Sequence, residues 1–204
     1  MSVYAATNAA RTAFTTATAA PATPLPSVVH NPITGDTMEV LRSALENGGG
    51  TAHFRFTIAP GSEGTPPHLH PELDETFTVV AGRLGMLVGA ARRVVLPGET
   101  VVVPTGTVHR FWNASGDEPA VYETTVTPGA DFERFIRGMY GLAQDGATDA
   151  KGAPKSLLHF ALLLQRANLF FPGVPVPLQH ALFRALTRLA RRRGADRDLD
   201  RYAA

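Results

Sequence analysis

The residues of this sequence best suited to chemistry are three histidines and one glutamate: His68, His70, Glu75 and His109. One residue separates His68 from His70, so in an extended segment both imidazoles leave the same face of the chain. Glu75 follows in a β-type stretch, in phase with Phe77 and Val79, and His109 opens another, in phase with Phe111 and Asn113. If the sheet closes, a neighbouring strand brings His109 opposite the first three. Three imidazole nitrogens and a carboxylate oxygen suit one divalent transition metal ion, whether Fe, Mn, Ni, Co or Zn. The chain has no cysteine, so disulfides and thiolate metal sites are excluded. Taken singly, each of the four reads as an ordinary core or surface side chain, and only the spacing makes them a set.

The elements that must position these residues are short strands. Residues 51–59 alternate, with Phe54, Phe56 and Ile58 on one face and His53, Arg55 and Thr57 on the other. Further β stretches follow (ETFTVV, LGMLVG, RRVVL, ETVVVP, VHRFWN and AVYETTVT), separated by Gly and Pro from Gly82 to Gly116. Many short strands at close spacing mean a sandwich or barrel. After Pro128 the period becomes helical: Phe132, Phe135, Ile136 and Met139 follow i, i+3, i+4, i+7. A polar loop over 145–154, an apolar helix over 155–170 and a Pro-rich connector come next. A last amphipathic helix spans 178–193, with Leu178, Ala181, Leu182, Ala185, Leu186 and Leu189 on one face and Arg191, Arg192 and Arg193 at its end. The expected organisation is a flexible Ala/Thr/Pro-rich arm over 1–35, loosest over 1–27, a β-barrel over 36–130 and a helical extension over 131–204.

The two histidine-bearing segments resemble the paired sequence motifs of the cupin superfamily. The first motif, G-x5-H-x-H-x3,4-E-x6-G, is met by His68, His70, Glu75 and Gly82, with its leading glycine displaced to Gly61 or Gly64. The second, G-x5-P-x-G-x2-H-x3-N, is met at every position by Gly98, Pro104, Gly106, His109 and Asn113. The resemblance covers roughly residues 36–130. It implies a mainly β fold, a single cupin jelly-roll β-barrel with C-terminal α-helices, in the manner of bacterial single-domain cupins with a helical tail. It also implies that His68, His70, Glu75 and His109 are the four protein ligands of one metal ion, with open coordination positions beside them.

Strand phase extends this expectation to the surroundings. Phe77, Val79, Phe111 and Met86 are expected to line an apolar pocket, with Leu84 and Val88 continuing its wall. Trp112 and Arg110 are expected to point outward. Glu72 and Asp74 flank the ligands, and Glu123 in a late strand is the one weak candidate for acid/base work. His30, His159 and His180 have no metal spacing.

Composition limits the partners. Net charge is +1, against a global nucleic-acid footprint, but residues 1–150 hold 9 Lys/Arg and 15 Asp/Glu (−6) while residues 151–204 hold 10 and 3 (+7). The basic last quarter therefore reads as a separate structural unit, its helices packed outside the barrel or across a dimer. The alternative is an amphipathic membrane-surface helix or a lid. No apolar run suits a membrane span, and a cytoplasmic homodimer with a small-molecule ligand is expected. The function expected is a metal-dependent oxidoreductase of the dioxygenase type, acting on a small aromatic or enol substrate. The alternatives are a non-redox metal-dependent isomerase, cyclase or lyase, or a non-catalytic binding protein.

Overall fold

The computed structural model describes residues 25–203; residues 1–24 of the expected arm lie outside them. Nine strands form two antiparallel sheets: β1 (Val28–His30), β2 (Thr37–Arg42), β3 (Ala52–Ile58), β4 (Asp74–Ala81), β5 (Leu84–Val88), β6 (Ala91–Val95), β7 (Thr100–Val103), β8 (His109–Asn113) and β9 (Ala120–Thr127). The larger sheet runs β1-β2-β3-β9-β4-β7 and the smaller β6-β5-β8. Alternation dictates the inner face. On β3 Ala52, Phe54, Phe56 and Ile58 are buried, and on β9 Ala120, Tyr122, Thr124 and Val126 are buried. The smaller sheet adds Leu84, Met86 and Val95 to the same core. Two sheets sharing one core with alternating inward residues make a jelly roll.

Residues 28–30, grouped with the flexible arm, instead form a strand of the sheet, followed by a turn. Val28–His30 pairs with Thr37–Glu39, and the turn between them closes on Asn31, whose Oδ1 accepts from the N–H groups of Ile33 and Thr34. A strand of three residues is too short to give a periodic signal of its own.

Trp112, expected to face outward, packs flat across the neighbouring strand. A Cβ at the facing Gly85 would lie 2.0 Å from the indole ring, so glycine is required there, and the Arg92 and Arg110 guanidinium groups lie over the ring.

Four helices follow: α1 (Ala130–Gln144), α2 (Leu157–Arg166), α3 (Val176–Arg192) and α4 (Ala195–Asp200). They do not stand apart from the sheets. Phe132 and Tyr140 of α1 belong to the barrel core, and Phe135 joins that core to the two clusters formed by the helices. α3 is turned against expectation. Its buried positions are Gln179, Phe183, Thr187 and Ala190, while the leucine stripe Leu178, Leu182 and Leu189 faces outward.

α1 is tied to the β2–β3 loop by a buried ion pair. Glu133 is fully buried; its carboxylate accepts from Ser43 Oγ at 3.0 Å, Ala44 N at 2.9 Å and Arg137 Nε at 3.0 Å. Arg137 in turn donates to Pro26 O at 2.9 Å. A buried pair satisfied this fully is costly to break from one side, because the remaining charge is left without a partner. Glu133→Ala is expected to lower stability by about 3–5 kcal/mol in urea unfolding, and the double change Glu133→Leu with Arg137→Met to recover most of that loss.

Candidate metal centre

The segment 68–70 is short, but both its edges are occupied. His68 N donates to His109 O at 2.9 Å and His109 N returns the bond to His68 O at 2.8 Å, which sets the two imidazoles side by side. Leu69 faces the other way and exchanges the same pair of bonds with Phe170, at 2.9 and 3.0 Å. His70 O accepts from the N–H of Gly106, a residue with φ of 75° where a side chain would be strained. β4 then brings in Glu75 from the inward phase it shares with Phe77 and Val79.

The result is a buried cluster. His68, His70, Glu75 and His109 are all buried, and each offers a ligand atom within 4.8 Å of the others. Their tautomers follow from hydrogen bonding. Nδ1 of His68 lies 2.8 Å from Pro66 O, Nδ1 of His70 lies 3.2 Å from Asn168 O, and Nδ1 of His109 lies 3.0 Å from Thr107 O. A carbonyl oxygen only accepts, so each Nδ1 carries the proton and each neutral ring presents a bare Nε2. His109 Nε2 stands 2.9 Å and His70 Nε2 3.6 Å from Glu75 Oε2. Nε2 of His70, Nε2 of His109 and Oε2 of Glu75 are buried with no satisfactory hydrogen bond. Acceptors so placed repel one another unless a cation or a proton sits among them. The donor set therefore fits a divalent metal ion, with the Nδ1–carbonyl bonds holding the rings in orientation.

The titration tendencies have the same origin. Burial, aided by the charges of His109 and His70, pushes the His68 imidazole down to about 3. Burial also lowers His70 against the pull of Glu75. Burial alone would raise Glu75, but the contact with His109 and the other imidazoles outweighs it, and the carboxylate is held below its ordinary range. For His109 burial works downward, yet the Glu75 carboxylate wins and the ring is raised.

The other expected residues fall as follows. Phe77, Val79 and Met86 are buried in the barrel core, and Phe111 packs partly buried against it. Glu123 is not inside: it occupies the outward phase of β9 between the inward Tyr122 and Thr124. There its carboxylate is held by Arg55 at 2.7 Å and His53 at 2.9 Å, and its pKa is lowered chiefly by the hydrogen bond to Arg55. This corrects its reading as an acid/base candidate. Glu72 is held at Asn168, whose Oδ1 accepts from its N–H at 2.8 Å.

Three contributors escaped the sequence. Asn168, in the connector after α2, has φ of 49° and supplies the carbonyl that orients His70. Phe132 of α1 sets its ring against His70, 6.1 Å between centroids. Thr124 projects inward with its hydroxyl buried and unpartnered. Asn tolerates left-handed backbone best among non-glycine residues, but nothing in the sequence marks Asn168 as adopting it.

Residues 54–127 match the family model described as the Cupin domain, and this stretch of the chain is a cupin domain. Oxidoreductase iacF of Pestalotiopsis fici is 30% identical over 125 residues, 57% of this chain and 60% of that protein. Probable oxidoreductase virH of Hypocrea virens is 33% identical over 127 residues, 59% of this chain and 58% of that protein. The chain thus spans about three-fifths of the length of these relatives. Among solved structures, KdgF from Halomonas sp. is similar with a TM-score of 0.42 and 20% identity, over 48% of this chain and 84% of that one.

Substitution at Asn168 tests the connector's role in the site. Asn168→Gly keeps the backbone conformation and is expected to leave metal affinity within a few-fold, about twofold to threefold. Asn168→Val strains it, displaces the carbonyl from His70, and is expected to weaken Co(II) or Ni(II) binding by about 10–100-fold in competition with a chromophoric chelator.

Proposed function

We propose that the chain is a metal-dependent oxidoreductase of the dioxygenase type, acting on a small aromatic or enol substrate. The observation that carries this is the convergence of three bare imidazole nitrogens and one carboxylate on a single buried point walled by aromatic rings. The oxidoreductase names of the iacF and virH relatives support it.

The wall is specific in shape. Phe77, Phe111 and Tyr122 form a mutual cluster with centroids 5.3–5.7 Å apart, and Phe77 adjoins His109. Such a surface favours a flat, apolar ring and excludes water from the reacting atoms. Tyr122 is fully buried and its phenol is pushed well above its ordinary range by that burial, so it stays protonated. With Glu123 on the outside, Glu75 is the inward carboxylate, and it orients with His109 rather than standing free. Thr124 offers a hydroxyl that can donate to or accept from an oxygen substituent of the substrate. A redox-active divalent ion bound by His68, His70, Glu75 and His109 would supply Lewis acidity and electron transfer toward dioxygen.

The test is oxygen uptake by the Fe-, Mn- or Ni-loaded protein across a panel of flavonol-like and enol compounds. Uptake is expected with at least one metal form and is expected to fall by at least about a hundredfold in His109→Ala, with circular dichroism showing the fold retained. No uptake with any metal form would overturn the oxidative reading, and turnover that persists without oxygen would assign the site to non-redox Lewis-acid chemistry instead.

A further inference from the structure

α3 presents its apolar side to solvent. Two of the four side chains it buries, Gln179 and Thr187, are polar, whereas Leu178, Leu182 and Leu189 are 62%, 55% and 39% exposed. At about 100° and 1.5 Å per residue, Leu178, Leu182, Ala185 and Leu189 fall within an arc of about 60° and make a strip about 16 Å long. Val174, just ahead of the helix, is exposed as well. Arg188 and Arg192 adjoin the strip along one flank, with Arg184 and Arg191 behind them and Arg193 at the C-terminal cap. The helix contains no Asp or Glu. None of these arginines forms an ion pair within 4.0 Å among the described residues, while Arg191 lines a cleft with Asp131, Asp196 and Asp200 and is turned toward them rather than toward the strip.

We propose that this face of α3 is a docking surface for an anionic lipid bilayer, on which the helix lies flat with its leucines at the acyl boundary and its arginines among the headgroup phosphates. An exposed apolar strip with cations on one flank of its C-terminal half, on a helix with no acid, is a pattern that seats on such a surface. The charge of residues 151–204, 10 Lys/Arg against 3 Asp/Glu, acts in the same sense, while the acidic remainder of the chain has no reason to approach the membrane. A second copy of the chain is the poorer occupant. A second α3 would bring further arginines to the contact and no carboxylate of its own to balance them. The attachment is peripheral, since no helix among the described residues is long and apolar enough to cross a membrane.

The experiment is flotation of the full chain with vesicles of phosphatidylcholine alone and of phosphatidylcholine mixed with phosphatidylglycerol, beside light scattering of the protein without lipid. Flotation is expected only with the mixed vesicles. It is expected to be lost when salt is raised to about 0.5 M, where screening shortens the reach of the arginines. The bound fraction is expected to fall about tenfold both in Leu178→Ser with Leu182→Ser and in Arg188→Glu with Arg192→Glu. All four positions are exposed, so the thermal midpoint is expected to stay unchanged. Absence of flotation with the mixed vesicles overturns the proposal, as does equal flotation with neutral ones. A dimer that the leucine double variant converts to monomer also overturns it, and assigns the face to a second copy.

Discussion

The structure around the site depends on one electrostatic constraint: hydrogen-bond acceptors are brought together in a dry interior without a donor among them. Each imidazole has spent its proton on a carbonyl, from Pro66, Asn168 or Thr107. What remains at the centre is lone pairs, together with a carboxylate whose buried oxygen lacks a satisfactory hydrogen bond. Such an arrangement destabilises a fold unless something positive occupies it. A barrel that keeps it in place is therefore suited to holding a cation there. The raised His109 imidazole is the same constraint met by a proton instead, so metal and proton compete for one location.

That constraint explains why the helical extension is not an ornament on the barrel. The 68–70 segment has only one sheet neighbour, His109; its other edge would be open without Phe170. The connector between α2 and α3 therefore completes the ladder at Leu69 and, two residues earlier, orients His70 through Asn168. It is itself held in place because Phe170 stacks on Phe183 of α3, 5.6 Å between centroids. α1 is anchored from the opposite side, through Glu133 and Arg137, and brings Phe132 against His70. The helices thus set the position of a ligand that lies almost 100 residues before the connector.

The four clustered residues were legible as a set in the sequence because their spacing records strand phase, and phase survives without knowledge of tertiary structure. His68, His70, Glu75 and His109 are on one face for the same reason that Phe54, Phe56 and Ile58 are. The same rule could not sort Glu123. Two-residue alternation assigns it to a side, but which side is inward depends on the register with β3 and β4, and Tyr122 and Thr124 took it. The buried pair Glu133–Arg137 was not legible either, because burial of a charge leaves no trace in composition. Asn168 was invisible for a different cause: its contribution is a backbone carbonyl, and every residue has one. α3 showed the right period and the wrong orientation, since a hydrophobic stripe marks a face that wants cover without saying whether the chain itself provides it.

The inward face also limits what the protein's own side chains can contribute to chemistry. Beyond the four cluster residues, the inward polar groups of β8 and β9 are Asn113, Tyr122 and Thr124. Asn113 is consumed by structure, donating to Ile58, Ala59 and Glu118 carbonyls and accepting from Ser115. Tyr122 is locked as a neutral phenol by burial. Thr124 has a buried hydroxyl with no partner, and a hydroxyl orients an oxygen without moving a proton at neutral pH. These side chains can hold a ring, exclude water and steer one polar substituent, but they offer no free general base. A substrate suited to this interior must therefore either carry an acidic proton of its own, as an enol or phenol does, or react without losing one. An enol or phenol meets this requirement, which is in keeping with the substrate class proposed above.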